Sequence, residues 1–143
     1  MRDLVLLRTD HTTVEHAGGI HLPGYLIVQP RFSCERLADL PSSARSDLVD
    51  SLAWAEALLH DVLAPHRVYV AKFGEADARI HFHVVARTAE VERDYVTATG
   101  DEPPYSGARI VDWIWSRYCD DRVSAPDVDA FVERARRELA DRA

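Results

Sequence analysis

The sequence predicts an α+β domain: an antiparallel sheet of about five strands, one long helix inserted before the final hairpin, and two helices closing the chain. Three observations carry this. Tyr25-Leu26-Ile27-Val28 is an almost unbroken apolar run between Pro23-Gly24 and Pro30, the pattern of a central strand covered on both faces. From Asp47 to Leu63, apolar residues recur at intervals of three or four, the mark of an amphipathic helix packed on a sheet. From Arg79 to Arg87, polar and apolar residues alternate with the period of a strand.

Taken in order, Leu4 to Leu7 is a short apolar strand and Arg8-Thr9-Asp10-His11 a turn. Thr12 to His16 is a second strand, closed by Gly18-Gly19. His11, His16 and His21 fall near these turns and read as solvated. After Tyr25–Val28, residues 31–40 form a polar connection. Pro41-Ser42-Ser43 opens the long helix, with Ser42 or Ser43 as its cap. Leu48, Leu52, Ala55, Leu59 and Val62 form its stripe, Trp54 and Leu58 widen it, and Leu63-Ala64-Pro65 ends it. His60 and His66, near that end, complement the helix dipole if charged and are given no catalytic role.

Val68 to Phe73 and Arg79 to Arg87 make a hairpin around a turn at 74–78. Residues 88–107 read as a loop with at most a short helix over 91–97. Ala108 to Tyr118, with Ile110, Val111, Trp113, Ile114 and Trp115, predicts a helix with a buried face. Ser124-Ala125-Pro126-Asp127 starts the last helix, with Ser124 as cap; it runs to about residue 142 with Val128, Phe131, Val132, Ala135 and Leu139 on one stripe. These two helices either cover the sheet or mediate dimerisation.

The chain of 143 residues suits a single domain, 1–143. A formal net charge of −7 argues against a nucleic-acid backbone binder, which carries a basic stripe, but allows a small nucleotide held by local cations. Cys34 and Cys119 lie far apart without metal-site spacing and read as reduced thiols, a single bridge being the alternative. With neither a signal segment nor a membrane-spanning run, the expectation is a soluble, cytoplasmic protein.

The chemistry concentrates in the last strand. Alternation places Arg79, His81, His83 and Val85 on one face and Ile80, Phe82, Val84 and Ala86 on the other. An apolar face backed by a cation and two imidazoles reads as core on one side and a site for an anion or a metal on the other. As a metal site, His81 and His83 need a third ligand, with Glu75, His21 or His66 to supply it.

Pro23-Gly24-Tyr25-Leu26-Ile27-Val28-Gln29-Pro30-Arg31, then Leu37-Ala38-Asp39-Leu40-Pro41 and the long helix, then Val70-Ala71-Lys72-Phe73-Gly74 and His81-Phe82-His83-Val84-Val85-Ala86-Arg87 together resemble the histidine-triad (HIT) superfamily, in a bacterial branch. The resemblance covers residues 4–87; residues 88–143 are not distinctive. It implies an α+β fold, commonly homodimeric, that binds a nucleotide or nucleotide conjugate and cleaves or transfers at the α-phosphate. It identifies His81 as the nucleophile of a nucleotidyl-histidine intermediate and His83 as a donor to the phosphate. The other nitrogen of His81 would be fixed by a backbone carbonyl. The scheme calls for no metal or other cofactor.

The chain departs from the family pattern at named places. Arg79 holds the first triad position, where arginine can grip phosphate but cannot titrate near neutral pH. Glu75 stands where asparagine is frequent, to support Arg79 or act on a leaving group. Tyr25 replaces a frequent histidine and Ala86 a frequent proline, and Glu15 is the nearest candidate for the ribose-binding carboxylate. Two activities follow: a hydrolase or nucleotidyltransferase using His81, or an altered module that binds nucleotide or phosphate without turnover.

Overall fold

A computed structural model describes residues 3–120 and 125–142, the last three as backbone. Five strands form one antiparallel sheet: β1 (Val5–Arg8), β2 (Thr12–His16), β3 (Tyr25–Pro30), β4 (Arg67–Ala71) and β5 (Phe82–Arg87), in the spatial order β1-β2-β3-β5-β4. A long helix, α1 (Ser42–Leu63), carries the chain from the centre of the sheet to its edge at β4. The hairpin then brings β5 back beside β3. Three helices follow: α2 (Ala89–Thr99), α3 (Gly107–Tyr118) and α4 (Pro126–Arg142).

Period-two alternation divides the apolar residues into two cores. Leu26, Val28, Val84 and Ala86 face one side of the sheet, where Leu48, Leu58 and Leu59 of α1 and Val128 and Phe131 of α4 cover them. Each fully buried leucine in this layer contributes roughly 1.5–3 kcal/mol of burial. On the other side, Tyr25 and Val85 pack against Val91 and Tyr95 of α2 and Ile110 and Ile114 of α3. The last helices therefore cover the sheet, α3 on one face and α4 on the other.

The sheet, the inserted helix and the central position of β3 agree with the expectations from sequence, and several details differ. β5 begins at Phe82, so Arg79 to His81 lie outside the ladder. That segment is instead anchored by Ile80, which is buried and donates its N–H to the Cys34 carbonyl at 2.8 Å. β4 ends at Ala71, short of Phe73. The connection at 31–40 contains a single 3₁₀ turn, Leu37–Asp39.

Neither Ser42 nor Ser43 caps α1. The cap position is Pro41, whose carbonyl accepts the Arg45 N–H at 3.0 Å and leaves both serines in the first turn. The helix at 89–99 is longer than the sequence suggested, because Thr88 accepts the Val91 N–H and Gly100, in a left-handed conformation, closes the other end. Ser106 caps α3 in the same way. His16 is buried, not solvated: its ring lies against Phe131, with Nδ1 3.0 Å from the Ala17 carbonyl and Nε2 3.1 Å from that of Leu22. The expected cap Ser124 lies outside the described residues. Cys34 and Cys119 are free thiols.

Candidate active site

Strand register assembles the site. Glu15 pairs with Ile27, and Ile27 with His83, so three side chains stand in a row across β2, β3 and β5 on one face. The helix α3 covers only part of that face. Beyond it a cleft of about 270 Å³ opens over the row, lined also by Gly18, Gly19, Gln29, Asp77, His81 and Trp115. The end of α3 holds one wall in place, since Tyr118 accepts the His21 N–H and Gly19 accepts that of Asp120.

His83 is 7 % exposed and ties the site to the core. Its Nδ1 lies 2.7 Å from the Tyr25 hydroxyl, which in turn accepts the Trp115 Nε1–H at 2.7 Å. Burial pushes the Tyr25 phenol up to about 12, so it keeps its proton at neutral pH. With the indole occupying a lone pair of that oxygen, the phenol proton goes to His83 Nδ1. All three groups are thereby satisfied, and the His83 proton is assigned to Nε2. Burial, and then the neighbouring His81, hold the His83 pKa below its ordinary value, which favours this neutral form.

His81 has the opposite arrangement. Its Nδ1 lies 2.8 Å from the Arg79 carbonyl, which can only accept, so Nδ1 carries a proton, and in the neutral ring Nε2 is the nitrogen with the free lone pair. The two rings lie 5.2 Å apart. One imidazole therefore presents a nucleophilic nitrogen and its neighbour an N–H donor.

Asp77 sets the carbonyl that orients His81. Its carboxylate accepts the backbone N–H of Arg79 at 3.0 Å and grips the guanidinium through Nε and Nη2, the latter at 2.6 Å. These bonds from Arg79 hold the Asp77 carboxyl down to about 2, so it is ionised throughout the physiological range.

The site residues expected from sequence are thus partly brought together. His81, His83 and Glu15 share one cleft; Arg79 and Glu75 do not line it. Arg79 faces a neighbouring cavity and is held by Asp77, in place of the expected Glu75, which is exposed. Sequence reasoning missed Asp77 and Trp115. An aspartate two residues before an arginine was a readable signal for the first, whereas nothing local pairs Trp115 with Tyr25, 90 positions away.

As for a metal, among the described residues no three His, Cys, Asp or Glu side chains are grouped to hold one. Of the suggested third ligands, His66 bonds Glu92 at 2.7 Å and His21 packs edge-on to Tyr118.

No protein-family model matches the chain, and no curated protein matches it. Solved structures do. A histidine triad protein from Bradyrhizobium japonicum superposes with a TM-score of 0.66 at 18 % identity, over 94 % of this chain and 88 % of that one. A Zn-bound histidine triad family protein from Mycobacterium smegmatis gives 0.55 at 14 % identity, over 99 % and 90 %. The diadenosine triphosphate hydrolase of Plasmodium falciparum gives 0.55 at 12 %, over 68 % and 78 %. This chain has the fold of the histidine-triad proteins.

Proposed function

We propose that the protein is a nucleotide-conjugate hydrolase or nucleotidyltransferase acting at an α-phosphate through His81. The complementary tautomers of His81 and His83 carry this reading: an unprotonated Nε2 beside an N–H donor, each fixed by its own hydrogen-bond partner. The likeness to a diadenosine triphosphate hydrolase and to other histidine triad proteins supports it.

In the first step His81 Nε2 bonds to the α-phosphorus and the bond to the leaving group breaks, the electron pair departing with that group. His81 keeps its Nδ1 proton against the Arg79 carbonyl, so the cationic ring of the intermediate is balanced by an oriented dipole. The His83 N–H stabilises the charge on the non-bridging oxygens. Water, or another acceptor, then bonds to phosphorus as the phosphorus–Nε2 bond breaks with its electron pair returning to His81, and the acceptor releases a proton to solvent, which leaves His81 neutral. Glu15, across Ile27 from His83, is placed to accept from sugar hydroxyls while the sugar lies on the apolar Ile27. Glu15 also accepts the Gln29 amide at 3.5 Å, a long bond that a ligand can replace.

The reading includes a cytoplasmic homodimer that takes a small-molecule nucleotide and no nucleic acid. The net charge of −7 supports the last point, and the edge strand β4, with Val70 exposed, supports pairing of two copies. No helix among the described residues is long and apolar enough to cross a membrane.

Incubation with AMP conjugates tests the chemistry. Wild type releases AMP and, on acid-free quenching, carries one nucleotidyl mass increment on the His81 peptide. His81→Ala does neither and retains its fold by circular dichroism. A second reading is motivated by Arg79, which Asp77 holds outside the cleft: a module that binds without reacting. Nucleotide-induced thermal stabilisation of wild type with no AMP release from any conjugate selects that reading.

A further inference from the structure

His81 lies just before β5, so the backbone leading into it is held by partners outside the ladder. Two peptide units flank Arg79, and each is fixed by a different group. In the unit joining Arg79 to Ile80, the N–H and the C=O point in opposite directions across a trans bond. The N–H donates to the Cys34 carbonyl at 2.8 Å, and the C=O meets His81 Nδ1 at 2.8 Å. The Ile80 side chain is buried in the core that α1 covers, which anchors this unit from behind. The preceding unit ends in the Arg79 N–H, which donates to Asp77 Oδ1 at 3.0 Å. Both soft dihedrals of Arg79 are thereby set, and with them the direction of its carbonyl.

The Arg79 side chain closes on the same aspartate. Its Nε donates to both carboxylate oxygens, at 3.0 and 3.1 Å, and its Nη2 to Oδ2 at 2.6 Å. Oδ1 therefore accepts the backbone N–H and the Nε–H together, so the guanidinium holds the acceptor on which the backbone bond depends. The fork of the guanidinium is occupied by a carboxylate instead of being open to a phosphate. Asp77 lines the cleft with His81, whereas Arg79 lines the cavity beside it.

We propose that Asp77 and Arg79 form a single positioning unit for His81, and that Arg79 serves the reaction only through Asp77. This rests on the nucleotidyl-transfer reading above. The carbonyl aimed by the unit keeps a proton on Nδ1, which leaves Nε2 as the attacking atom. Once Nε2 bonds to phosphorus the ring is cationic, and the Asp77 carboxylate stands in the same cavity as a counter-charge. The first triad position, a histidine in the resembling family, works here through its backbone. Its side chain holds the aspartate, and the aspartate holds the peptide.

A double-mutant cycle tests this, because groups that act as one unit are not additive. With an AMP conjugate, Asp77→Ala and Arg79→Ala each lower kcat about tenfold or more, with KM changed less than about twofold. The double variant reacts no more slowly than Asp77→Ala. Asp77→Asn, whose amide oxygen still accepts the Arg79 N–H, keeps a higher kcat than Asp77→Ala. The pair is exposed and adds little to stability, so all these variants melt as wild type does. A further loss of about tenfold from Arg79→Ala on the Asp77→Ala background, or a rise in KM alone, overturns the proposal and puts the guanidinium on the substrate.

The ¹⁵N shifts of His81, read on the neutral ring, need no turnover and separate this proposal from the reading beneath it. Wild type shows the proton on Nδ1. In Asp77→Ala and in Arg79→Ala the shifts move toward a tautomeric average. Shifts that stay in place in either variant overturn the unit, whatever the activity. If both move and wild type releases no AMP from any conjugate, the positioning of His81 stands, while the nucleotidyl-transfer reading and the unit's part in it both fall.

Discussion

Tyr25 occupies a position where the resembling family often has histidine, and its hydroxyl does three things at once. It accepts from Trp115, donates to His83, and by staying protonated fixes which His83 nitrogen faces the cleft. Tyr25→Phe removes one oxygen and leaves the Trp115 indole N–H and a buried imidazole nitrogen without their partner. The expected cost is about 1–3 kcal/mol, read by urea denaturation. Because His83 is then free to exchange tautomers, kcat falls more than KM changes, and the ¹⁵N shifts of His83 move toward a tautomeric average. Unchanged ¹⁵N shifts count against the relay. The alternation in the sequence was enough to place His81 and His83 on one face with Ile80 and Phe82 on the other. It failed at Arg79, because the ladder stops at Phe82 and the segment before it follows Ile80 and Asp77 rather than a strand neighbour.

At the scale of elements, helix periodicity marked α1 from Leu48 to Val62, since apolar residues recurring at three or four positions over about four turns have no competing reading. Its cap was illegible: serines at the right place are a signal only if the backbone at the cap is extended there, and Pro41 holds that position. The helix at 89–99 was underestimated because its buried face is carried by only Val91 and Tyr95, while its two ends are set by Thr88 and Gly100. The junction after α1 explains a further departure. Ala86 donates its N–H to the Gly24 carbonyl at 3.0 Å, a bond that a proline there could not make. Gly24 itself has φ +91°, and a Cβ on it would stand 2.5 Å from the Leu63 side chain, so this contact requires glycine. Ala64, which ends α1 at φ 46°, ψ 54°, is the opposite case: a left-handed residue that carries a Cβ. Ala64→Gly relieves that strain at an exposed position and stabilises the protein by about 0.5–1 kcal/mol. Thermal and urea unfolding measure it, and a loss of stability would show that α1 does not depend on its left-handed cap.

For the whole molecule, these local arrangements add up to a pH profile whose sign is set by the shifted groups. The folded-state pKa of His83 lies below its ordinary value of 6.5, so below about that pH the unfolded chain takes up a proton that the native state resists. Stability is therefore full above this window and falls as the pH is lowered from 6.5 toward the folded value. Asp77, Asp47, Glu92 and Asp101 are held below the usual carboxylate range by hydrogen bonds from Arg79, Thr9, His66 and Tyr95. Their contributions persist through the first window and are lost at lower pH, as each carboxyl protonates; for Asp77 the loss extends down to about 2. The melting temperature of wild type should thus decline in two stages on acidification. His83→Gln, which offers Tyr25 an amide oxygen in place of Nδ1, should flatten the first stage and leave the second. Because the proposed mechanism uses the same neutral imidazole as the N–H donor to phosphate, the upper stage and the acid limb of turnover are expected to shift together in any variant that changes the surroundings of His83. An acid limb that stays in place while the upper melting stage moves would separate the buried imidazole from the chemistry and assign it to the fold alone.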